Sequence, residues 1–353
     1  MTTTTQVIAE TARTSVETRF ELVNPRNRLA PAFKVELQAP GSMARATRPI
    51  DPSTLRQHKP DAHWELFRNN RLVGRYSLWW RRTPVFRAHH VGFIGHYAVD
   101  DDTSDVLLRH ACGQLAKRGC TLAVGPIDGN TWRTYRFITD FGKHPRFLLE
   151  PDHPPQWPAH FTREGFEPCA HYFSALCGEL TCEDPRVMKI VPRLTAAGVR
   201  VRPILADAFE ADLRRIFAVA RVAFCDNLLY SEPSEEEFLE ECRPFASRVP
   251  HDLVLLAEHA GRPVGFVFAL PDLLQSRRGE PIDTIVVKTL AALPERRLAG
   301  LGQWLLAEVQ HRAHDLGFRQ AIHAMVRDAG HLRRISGRMA EPIRKYTLFA
   351  KVL

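Results

Sequence analysis

The stretch Pro294-Glu-Arg-Arg297-Leu-Ala-Gly300-Leu-Gly302 lies between two apolar segments of opposite character. Before it, Ile282–Leu293 is rich in Ile, Val and Thr, a composition that predicts a buried strand. After it, Leu301–Leu316 carries apolar residues at helical spacing and ends before Gly317, which predicts a helix. The sequence therefore predicts a strand, a tight turn that contains glycine, and a helix.

The predicted turn has the properties of a phosphate-binding site. The first N–H groups of a helix lack intrahelical partners, and the helix dipole adds partial positive charge there. Gly300 and Gly302 are expected to let a pyrophosphate approach the backbone where a Cβ would clash. The turn does not end in Gly-Lys-Ser/Thr, and G-x-G-x-x-G does not occur, so the common nucleoside-triphosphate and dinucleotide motifs are excluded. An ordinary turn with an incidental pair of glycines is the alternative.

The pattern R-x-x-G-x-G at Arg297–Gly302 resembles motif A of the GNAT acyl-CoA N-acyltransferase superfamily, in which this turn holds the CoA pyrophosphate. The resemblance extends to His251–Leu270, which is typical of a hairpin, and to a last strand at Tyr346–Val352. Asp226–Tyr230 and the C-terminal R-K-Y-T-L-F-A-K are similar to segments of tandem-domain bacterial members of largely uncharacterised function. The resemblance implies acetyl-CoA or another acyl-CoA as co-substrate.

The same resemblance implies which residues contact the cofactor. In GNAT enzymes the strand before the turn offers backbone groups to the pantetheine arm and the thioester. The turn itself offers backbone N–H groups to the pyrophosphate. The residues that the resemblance assigns to cofactor binding are Leu290, Ala291, Ala292, Arg297, Leu298, Ala299, Gly300, Leu301 and Gly302.

The first half of the chain repeats the predicted element order of the second. His63–Trp80 predicts two strands joined at Asn69-Asn70, and Ala88–Val99 predicts a longer strand before a helix at Thr103–Arg118. The order hairpin, strand, helix, strand, helix, strand therefore occurs twice. It indicates an α/β (α+β) protein of two tandem GNAT-like domains, each a mixed, mostly antiparallel sheet flanked by helices. A single larger α/β domain is the alternative.

The expected domains follow one another along the chain. A degenerate GNAT-like domain without a CoA signature is expected at 1–180, a linker at 181–200, and an acyl-CoA-binding catalytic domain at 201–353. In the first half, the turn before the helix is Asp100–Asp102, which contains no glycine. Its carboxylates would repel a pyrophosphate at ~1 kcal/mol or more per close pair. The segment Gly125–Phe137 combines glycines, aromatics and charges, which favours either a functional loop or a structural plug.

The candidate catalytic residues border the expected acceptor groove. Amide formation from a thioester needs a neutral amine, so a general base or burial of the amine is required. The candidates are Tyr230 and Asp226 on the loop after the first helix of the second half, and Asp272 after its third strand. GNAT enzymes often place a tyrosine near the thiol, but none occurs between Asp328 and Ala340. Ser336 or His331 could take the role of general acid there, or water could protonate the thiolate.

Composition excludes several classes of protein and site. The seven cysteines are odd in number and contain no C-x-x-C, so reduced thiols and no metal site are expected. The net charge of +8 comes from dispersed residues, with local density only at Arg327–Arg344, which could meet an anionic cofactor such as CoA. Nucleic acid is not expected as a partner. No apolar run approaches the ~20 residues of a membrane span, and the N-terminus lacks signal-peptide features, so a cytoplasmic protein is expected.

Three functions are consistent with these observations. The first is an N-acyltransferase, in particular an N-acetyltransferase, that moves an acyl group from acyl-CoA to the amine of a small molecule in the C-terminal domain. The second is a catalytically inactive module that binds CoA or a small molecule. The third is an aminoacyl-tRNA-dependent, Fem-like transferase, because that class also uses tandem GNAT-like domains. The sequence specifies neither the acceptor, the acyl chain length nor the oligomeric state.

Overall fold

The computed structural model describes residues 5–7, 18–23, 48–181, 184–243, 249–328 and 340–353. Within this part the chain forms two compact units that are interleaved along the sequence. The first unit is drawn from Met1–Thr139, Pro151–Ala170 and Thr347–Leu353, and the second from Asp140–Glu150 and His171–Tyr346. The predicted boundaries at 1–180, 181–200 and 201–353 are consecutive and differ from this division. The two divisions differ because the last strand in each half of the sequence pairs with a strand from the other half.

The first unit is a mixed sheet covered by helices. Its strands are β1 (Thr5–Val7), β2 (Thr18–Leu22), β3 (Ala62–Arg68), β4 (Arg71–Trp79), β5 (Val85–Phe86), β6 (His89–Val99), β7 (Leu122–Gly125) and β8 (Phe137–Asp140), and its helices are α1 (Pro52–His58), α2 (Ser104–Ala116) and α3 (Trp157–Arg163). β1 to β4 and β6 pair antiparallel in the order β1-β2-β3-β4-β6, and β7 pairs parallel with β6. The core lies between the sheet and α2, where Leu107, Leu108 and Leu115 are fully buried.

The second unit has the same layered design. Its strands are β9 (Glu167–Cys177) from His171 onward, β10 (Val199–Pro203), β11 (Val254–His259), β12 (Arg262–Pro271), β13 (Thr284–Ala292), β14 (Gln320–Arg327) and β15 (Glu341–Val352) as far as Tyr346, and its helices are α4 (Pro185–Ala196), α5 (Phe209–Phe224), α6 (Glu235–Cys242), α7 (Leu273–Arg277) and α8 (Leu301–Asp315). The strand order is β9-β14-β13-β12-β11-β10. Only β13 and β14 pair parallel among these neighbours.

Two strands explain the interleaving. β9 closes the first half of the sequence but pairs antiparallel with β14. β15 closes the chain, and its final residues pair antiparallel with β7, from Phe349 opposite Gly125 to Val352 opposite Leu122. Each unit is therefore completed by the terminal strand of the other half of the sequence. The predicted tandem repeat of element order is confirmed, and the two α/β units it predicts are present.

The predicted hairpins are confirmed by their turn residues. Asn69 and Asn70 join β3 to β4 with φ of 50° and 61°, and Ala260 and Gly261 join β11 to β12 with φ of 51° and 76°. Positive φ at both central residues is the geometry of the tight turns that match the strand twist. Asparagine and glycine adopt this geometry at low cost.

The expected linker at 181–200 is largely regular structure. Asp184 caps α4 by accepting a hydrogen bond from the Arg186 N–H at 2.9 Å, and Pro185 occupies the first helical position. Leu194 is fully buried, because α4 packs against α8. β10 then begins at Val199 and pairs with β11. The segment is thus part of the second unit rather than an extended connection.

Two expectations from composition concern thiols and membranes. The six described cysteines are free thiols, of which Cys112, Cys120 and Cys177 are buried and Cys225 is exposed. Cys182 lies outside the described residues. No helix in the described part of the chain combines the length and apolarity needed to cross a lipid bilayer.

Candidate functional site

Strand β13 separates from its parallel neighbour β14 halfway along its length. β13 pairs with β12 from Ile285 to Ala292, but with β14 only at Thr284–Val287. Beyond that point β14 is irregular, with Met325 at φ 53°, and continues alongside β9 instead. Among the described residues, the β14-facing edge of β13 from Thr289 onward enters no strand pairing. The predicted cofactor residues Leu290, Ala291 and Ala292 lie on this part of β13, where alternate backbone groups point away from β12 toward the open edge.

The predicted strand, turn and helix are all present around the glycines. β13 ends at Ala292, a short 3₁₀ turn spans Arg296–Leu298, and α8 begins at Leu301. Gly300 is the N-cap of α8, with φ 92°. A Cβ on Gly302 would find only Leu290 Cδ2, at an ordinary 3.9 Å. The backbone at Gly302 is therefore open, which suits a bulky anion next to the helix start.

The surroundings of Gly300 require a glycine for a reason other than the predicted approach of a pyrophosphate. A Cβ at this position would lie 2.8–3.0 Å from three side-chain atoms of Ile190 on α4. Its left-handed backbone also disfavours any side chain. Gly300 therefore permits the turn and the packing of α4, while the open approach to the backbone is at Gly302. A side chain at position 300 would therefore clash with Ile190, and not with pyrophosphate as predicted.

The remaining residues of the motif are fixed by neighbouring side chains. Arg297 is exposed and forms an ion pair with Glu295, whose carboxylate lies 2.6 Å from its guanidinium. Arg193 of α4 donates hydrogen bonds to the carbonyls of Arg297, at 3.4 Å, and of Ala299. Leu298 is buried. The carbonyls of the turn are thus engaged by α4, which orients the turn before α8.

The three candidate catalytic residues have different surroundings. Asp272 is 1% exposed and is the N-cap of α7, where its Oδ1 accepts hydrogen bonds from the N–H groups of Leu148 at 2.8 Å and Leu274 at 3.2 Å. Burial raises the pKa of this carboxyl group, and these hydrogen bonds oppose the rise. Asp226 is exposed on the turn after α5, and Tyr230 is half-buried with its phenol oxygen buried. The geometry favours a capping role for Asp272, and the catalytic roles of all three residues stay predictions.

Two further predictions concern the last third of the chain. The candidate general acids Ser336 and His331 lie outside the described residues, as does most of the basic stretch. Arg344, at the end of that stretch, is buried and forms an ion pair with Glu150 at 2.7 Å. The prediction that this stretch meets an anionic cofactor is therefore wrong for Arg344. Its charge is neutralised inside the second unit.

Arg344 belongs to a buried polar network that the sequence did not reveal. The Tyr346 hydroxyl donates to Glu150 Oε1 at 2.7 Å and lies 2.9 Å from Ser174 Oγ. Ser174 Oγ in turn accepts the N–H of Met325 at 2.9 Å. Burial raises the pKa of Tyr346 well above its usual range, so its hydroxyl stays protonated. The network fixes the irregular part of β14, where β14 parts from β13.

The equivalent opening in the first unit is filled by the chain itself. β6 pairs with β7 only at Val91–Phe93. Beyond it, the Ile94 carbonyl accepts the Ile127 N–H at 2.9 Å, and Asp128 Oδ1 accepts the His96 N–H at 2.6 Å. A Cβ on Gly95 would lie 2.1 Å from the Ile127 carbonyl oxygen. The segment Gly125–Phe137 is thus a structural plug along β6, one of the two roles that the sequence left open.

The acidic turn of the first unit is also engaged by its own side chains. Asp101–Thr103 forms a 3₁₀ turn before α2. Arg68 forms an ion pair with Asp102, and Arg71 approaches Asp100 at 3.8 Å. These arginines reduce the local negative charge that the sequence alone suggested. The turn still offers no glycine at the start of α2, where the second unit has two.

Comparison with known proteins assigns a family to part of the chain. Residues 208–335 match the family described as Acetyltransferase (GNAT) family. No curated protein matches the sequence. The matched segment contains α5 to α8, β13, the glycine turn and β14.

Solved structures with the same fold extend over most of the chain. The glucosamine N-acetyltransferase region of a fungal multi-domain GH3 β-N-acetylglucosaminidase is 14% identical, with a TM-score of 0.51 over 86% of this chain and 35% of its own. A probable N-acyltransferase from Enterococcus faecalis is 10% identical, with a TM-score of 0.51 over 85% of this chain and 64% of its own. The chain thus spans about a third and about two thirds of their lengths. At these identities the likeness concerns the fold alone.

A third solved structure is a tandem GNAT protein from the clavulanic acid biosynthesis pathway. It is 14% identical, with a TM-score of 0.46 over 87% of this chain and 89% of its own.

Proposed function

Since residues 208–335 belong to the GNAT acetyltransferase superfamily, we propose that the protein is an acyl-CoA-dependent N-acyltransferase, in particular an N-acetyltransferase. The acyl group moves from acyl-CoA to the amine of a small molecule, and the second unit holds the CoA. The proposed co-substrate is acetyl-CoA or another acyl-CoA, without a membrane or nucleic-acid partner. The proposed location is the cytoplasm.

The open edge of β13 beside the start of α8 is the observation that carries this proposal. Within the described part of the chain, the edge from Thr289 to Ala292 has no strand partner on the β14 side, so its outward backbone groups can pair with the amide groups of a pantetheine arm as a neighbouring strand would. The N–H groups at the start of α8 lie at the end of the same strand and attract a pyrophosphate. The first unit, in which Ile127 and Asp128 occupy the equivalent edge, is proposed to bind no CoA.

The proposed acceptor site lies on the α5 side of the second unit. α5 packs against β12 and β13, and the loop after it carries Asp226 and Tyr230. Tyr230 combines an apolar ring with a hydroxyl that can orient an amine or relay a proton through water. Tyr230→Phe is expected to lower turnover while leaving CoA affinity unchanged, because it removes one hydroxyl and keeps the ring.

The CoA site is tested by titrating CoA into the parent protein and Gly302→Glu by calorimetry. The new side chain brings bulk and negative charge to the open backbone. Loss of two hydrogen bonds to a charged group, at ~1.5–3 kcal/mol each, lowers affinity more than a hundredfold. Gly113→Glu is the matched control, because a Cβ on Gly113 of α2 meets nothing within 4 Å. Unchanged affinity in a folded Gly302→Glu variant contradicts the proposed site, as does binding of two CoA molecules per parent chain.

Turnover separates the proposed enzyme from its alternatives. Thiol release from acetyl-CoA, followed over a panel of small amines, is expected for a transferase. Tight CoA binding without turnover on any amine supports a binding module instead. Salt-sensitive binding of tRNA by a protein that does not bind CoA supports the Fem-like alternative.

A further inference from the structure

Two histidines and an aspartate converge in the first unit, far from the proposed CoA site in sequence. His58 Nδ1 lies 2.8 Å from His96 Nε2, and one ligand atom each of His58, His96 and Asp128 lies within 4.8 Å of the others. His96 is buried, whereas His58 and Asp128 are half-buried. The cluster therefore has one inner member and two members near the surface.

The hydrogen bonds of His96 determine which of its ring nitrogens carries a lone pair toward the cluster. Its Nδ1 lies 2.8 Å from Ser77 Oγ, and Ser77 Oγ lies 2.8 Å from His63 Nδ1. If His96 Nδ1–H donates to Ser77, Ser77 can donate onward to His63. The lone pair of His96 Nε2 then points toward His58. A second hydrogen bond that fixes the tautomer is the usual companion of a metal-binding imidazole.

The backbone around the cluster holds these side chains in place. The His58 carbonyl accepts hydrogen bonds from Trp79 Nε1 at 3.0 Å and from Arg133 Nη1 at 3.2 Å. His96 has φ 47° at an irregularity of β6, a conformation that is uncommon for histidine and re-aims its side chain. Asp128 is fixed through its N–H, which donates to the Thr134 carbonyl at 3.0 Å. The side chains of His58, His96 and Asp128 are thus held in position by three separate segments of the chain.

Asp128 keeps an oxygen for a further ligand. Its Oδ1 accepts the His96 N–H at 2.6 Å, and within the described part of the chain its Oδ2 receives no hydrogen bond. Arg75 and Arg133 lie close enough to disfavour added positive charge at His96, and Arg133 also does so at His58, where Asp128 acts in the opposite sense. The carboxylate of Asp128 is therefore the group that offsets the charge of a divalent cation at the cluster.

We propose that His58, His96 and Asp128 bind a divalent first-row transition-metal ion such as Zn²⁺ through two imidazole nitrogens and one carboxylate oxygen. At metal–nitrogen distances of about 2.0–2.1 Å, two imidazoles separated by about 90–109° place their nitrogens roughly 2.9–3.4 Å apart. The observed 2.8 Å needs only a small opening, whereas the carboxylate oxygen of Asp128, which lies within 4.8 Å of the two nitrogens, has to come to about 3.4 Å from them when the ion binds. Three protein ligands leave at least one coordination position for water or a small ligand. The site is distinct from the proposed CoA site, and the inference does not depend on the proposed function.

No short motif joins these residues, so the sequence offers no reason to expect a metal site. His58 and His96 are 38 positions apart, and Asp128 follows 32 positions later, by residue number. Spacing-based recognition of zinc sites relies on paired ligands a few residues apart. The fold alone brings these three together.

The test uses the full chain, stripped with a chelator and then titrated separately with Zn²⁺ and Co²⁺. Calorimetry is expected to show one Zn²⁺ per chain, and Co²⁺ is expected to give visible absorption bands that Zn²⁺ abolishes. His58→Gln and Asp128→Asn are expected to weaken Zn²⁺ binding more than about tenfold, and Ser77→Ala by about 10–100-fold through loss of the tautomer-fixing bond. Circular dichroism of the metal-free variants confirms that each one folds.

His89→Gln is the matched control, because His89 lies in the same unit and outside the cluster. It is expected to bind Zn²⁺ as the parent does. Absence of Zn²⁺ and Co²⁺ binding by the parent protein overturns the proposal and leaves a hydrogen-bonded histidine pair. Binding that survives in both His58→Gln and Asp128→Asn also overturns it, because the ion then lies elsewhere among the sixteen histidines of the chain.

Discussion

Gly300 and Gly302 lie two residues apart, but their surroundings differ. At Gly300 the backbone is left-handed, and Ile190 occupies the direction of a Cβ. At Gly302, in the first turn of α8, a Cβ would find ordinary contact with Leu290. One glycine therefore serves the packing of the turn, whereas the other keeps its outer face open. A single-residue substitution can separate the stability of the turn from its capacity to bind an anion.

Gly300→Ala is expected to destabilise the protein, whereas Gly302→Ala is expected to leave its stability nearly unchanged. The left-handed backbone costs a residue with a Cβ about 1–2 kcal/mol, and overpacking against Ile190 adds about 1–3 kcal/mol. Urea denaturation measures both changes in the free energy of unfolding. Gly113→Ala, in the interior of α2, is the control and is expected to stabilise slightly. Equal stability of Gly300→Ala and the parent contradicts the assigned role of Ile190.

A second prediction at the residue scale concerns His323, which lies on β14 opposite Val287, the last paired residue of β13. Burial lowers its pKa from 6.5 to about 4, and its Nε2 lies 3.2 Å from the Gln310 side-chain amide. Between these two values the unfolded chain binds a proton that the folded chain does not. The free energy of unfolding is therefore expected to fall as the pH drops from about 6.5 to 4, by up to about 1.4 kcal/mol per pH unit from this residue.

His323→Leu is expected to flatten this pH dependence by the contribution of one proton. Denaturant unfolding at several pH values measures the slope in the variant and the parent. His58, His96 and His110 also have pKa values lowered by burial, to between about 3 and 4, so part of the slope remains. His314→Leu, at an exposed site, is the control. An unchanged slope in His323→Leu contradicts the assignment.

At the scale of elements, α4 is a helix whose signals are present in the sequence, although the segment was predicted to be a linker. Asp184 before Pro185 is a helix-start signal, and Val187, Ile190, Val191 and Leu194 have helical spacing. The expected linker at 181–200 did not take these signals into account, and Pro192 lies inside the observed helix. By contrast, α8 was predicted as Leu301–Leu316 and is observed as Leu301–Asp315, because its start and stop signals are local glycines. Local signals were sufficient for α8 but not for α4.

The contact of α4 with the glycine turn leads to a prediction about cofactor affinity. Arg193→Ala removes the hydrogen bonds to the carbonyls of Arg297 and Ala299, which orient the turn. CoA affinity is expected to fall by about 3–10-fold, since each lost bond is worth roughly 1 kcal/mol net and the turn can partly readjust. Calorimetry with CoA measures the change. Arg186→Ala is the matched control on the same helix, because Arg186 bonds to Asp184 at the far end. Equal affinities of the two variants contradict the orienting role of α4.

The candidate site was predictable only where it depends on consecutive residues. The strand, turn and helix around Gly300 and Gly302 follow from composition and glycine placement, whereas the parting of β13 from β14 was not predicted. The plug at Ile127, the hydrogen bond from the Leu148 N–H to Asp272 and the pair of Glu150 with Arg344 depend on contacts between distant segments. Periodicity and short motifs carry no information about such contacts.

At the scale of the whole molecule, the two halves of the sequence are not two independent folding units. β14 pairs with β9, which precedes the expected second domain, and β7 pairs with the last residues of β15. The tandem repeat of element order correctly indicates two α/β units but gives no sign of the exchange of terminal strands. The terminal strands of the two halves, β9 and β15, have nearly the same succession of exposed and buried residues, so the sequence does not distinguish which strands each of them pairs with.

The interleaved sheets predict that the fragments at the expected boundaries fold poorly. A fragment of residues 201–353 lacks β9, so β14 presents an unpaired edge, and it also lacks α4, which packs on α8. A fragment of residues 1–180 lacks Thr347–Leu353, so β7 loses the pairing from Leu122 to Gly125. Exposed strand edges with apolar faces promote aggregation, so both fragments are expected to lose cooperative thermal unfolding and to self-associate. Circular dichroism melting and size-exclusion chromatography, with the full chain as reference, measure this. A monomeric fragment of residues 201–353 that unfolds as cooperatively as the full chain contradicts the observed division into interleaved units.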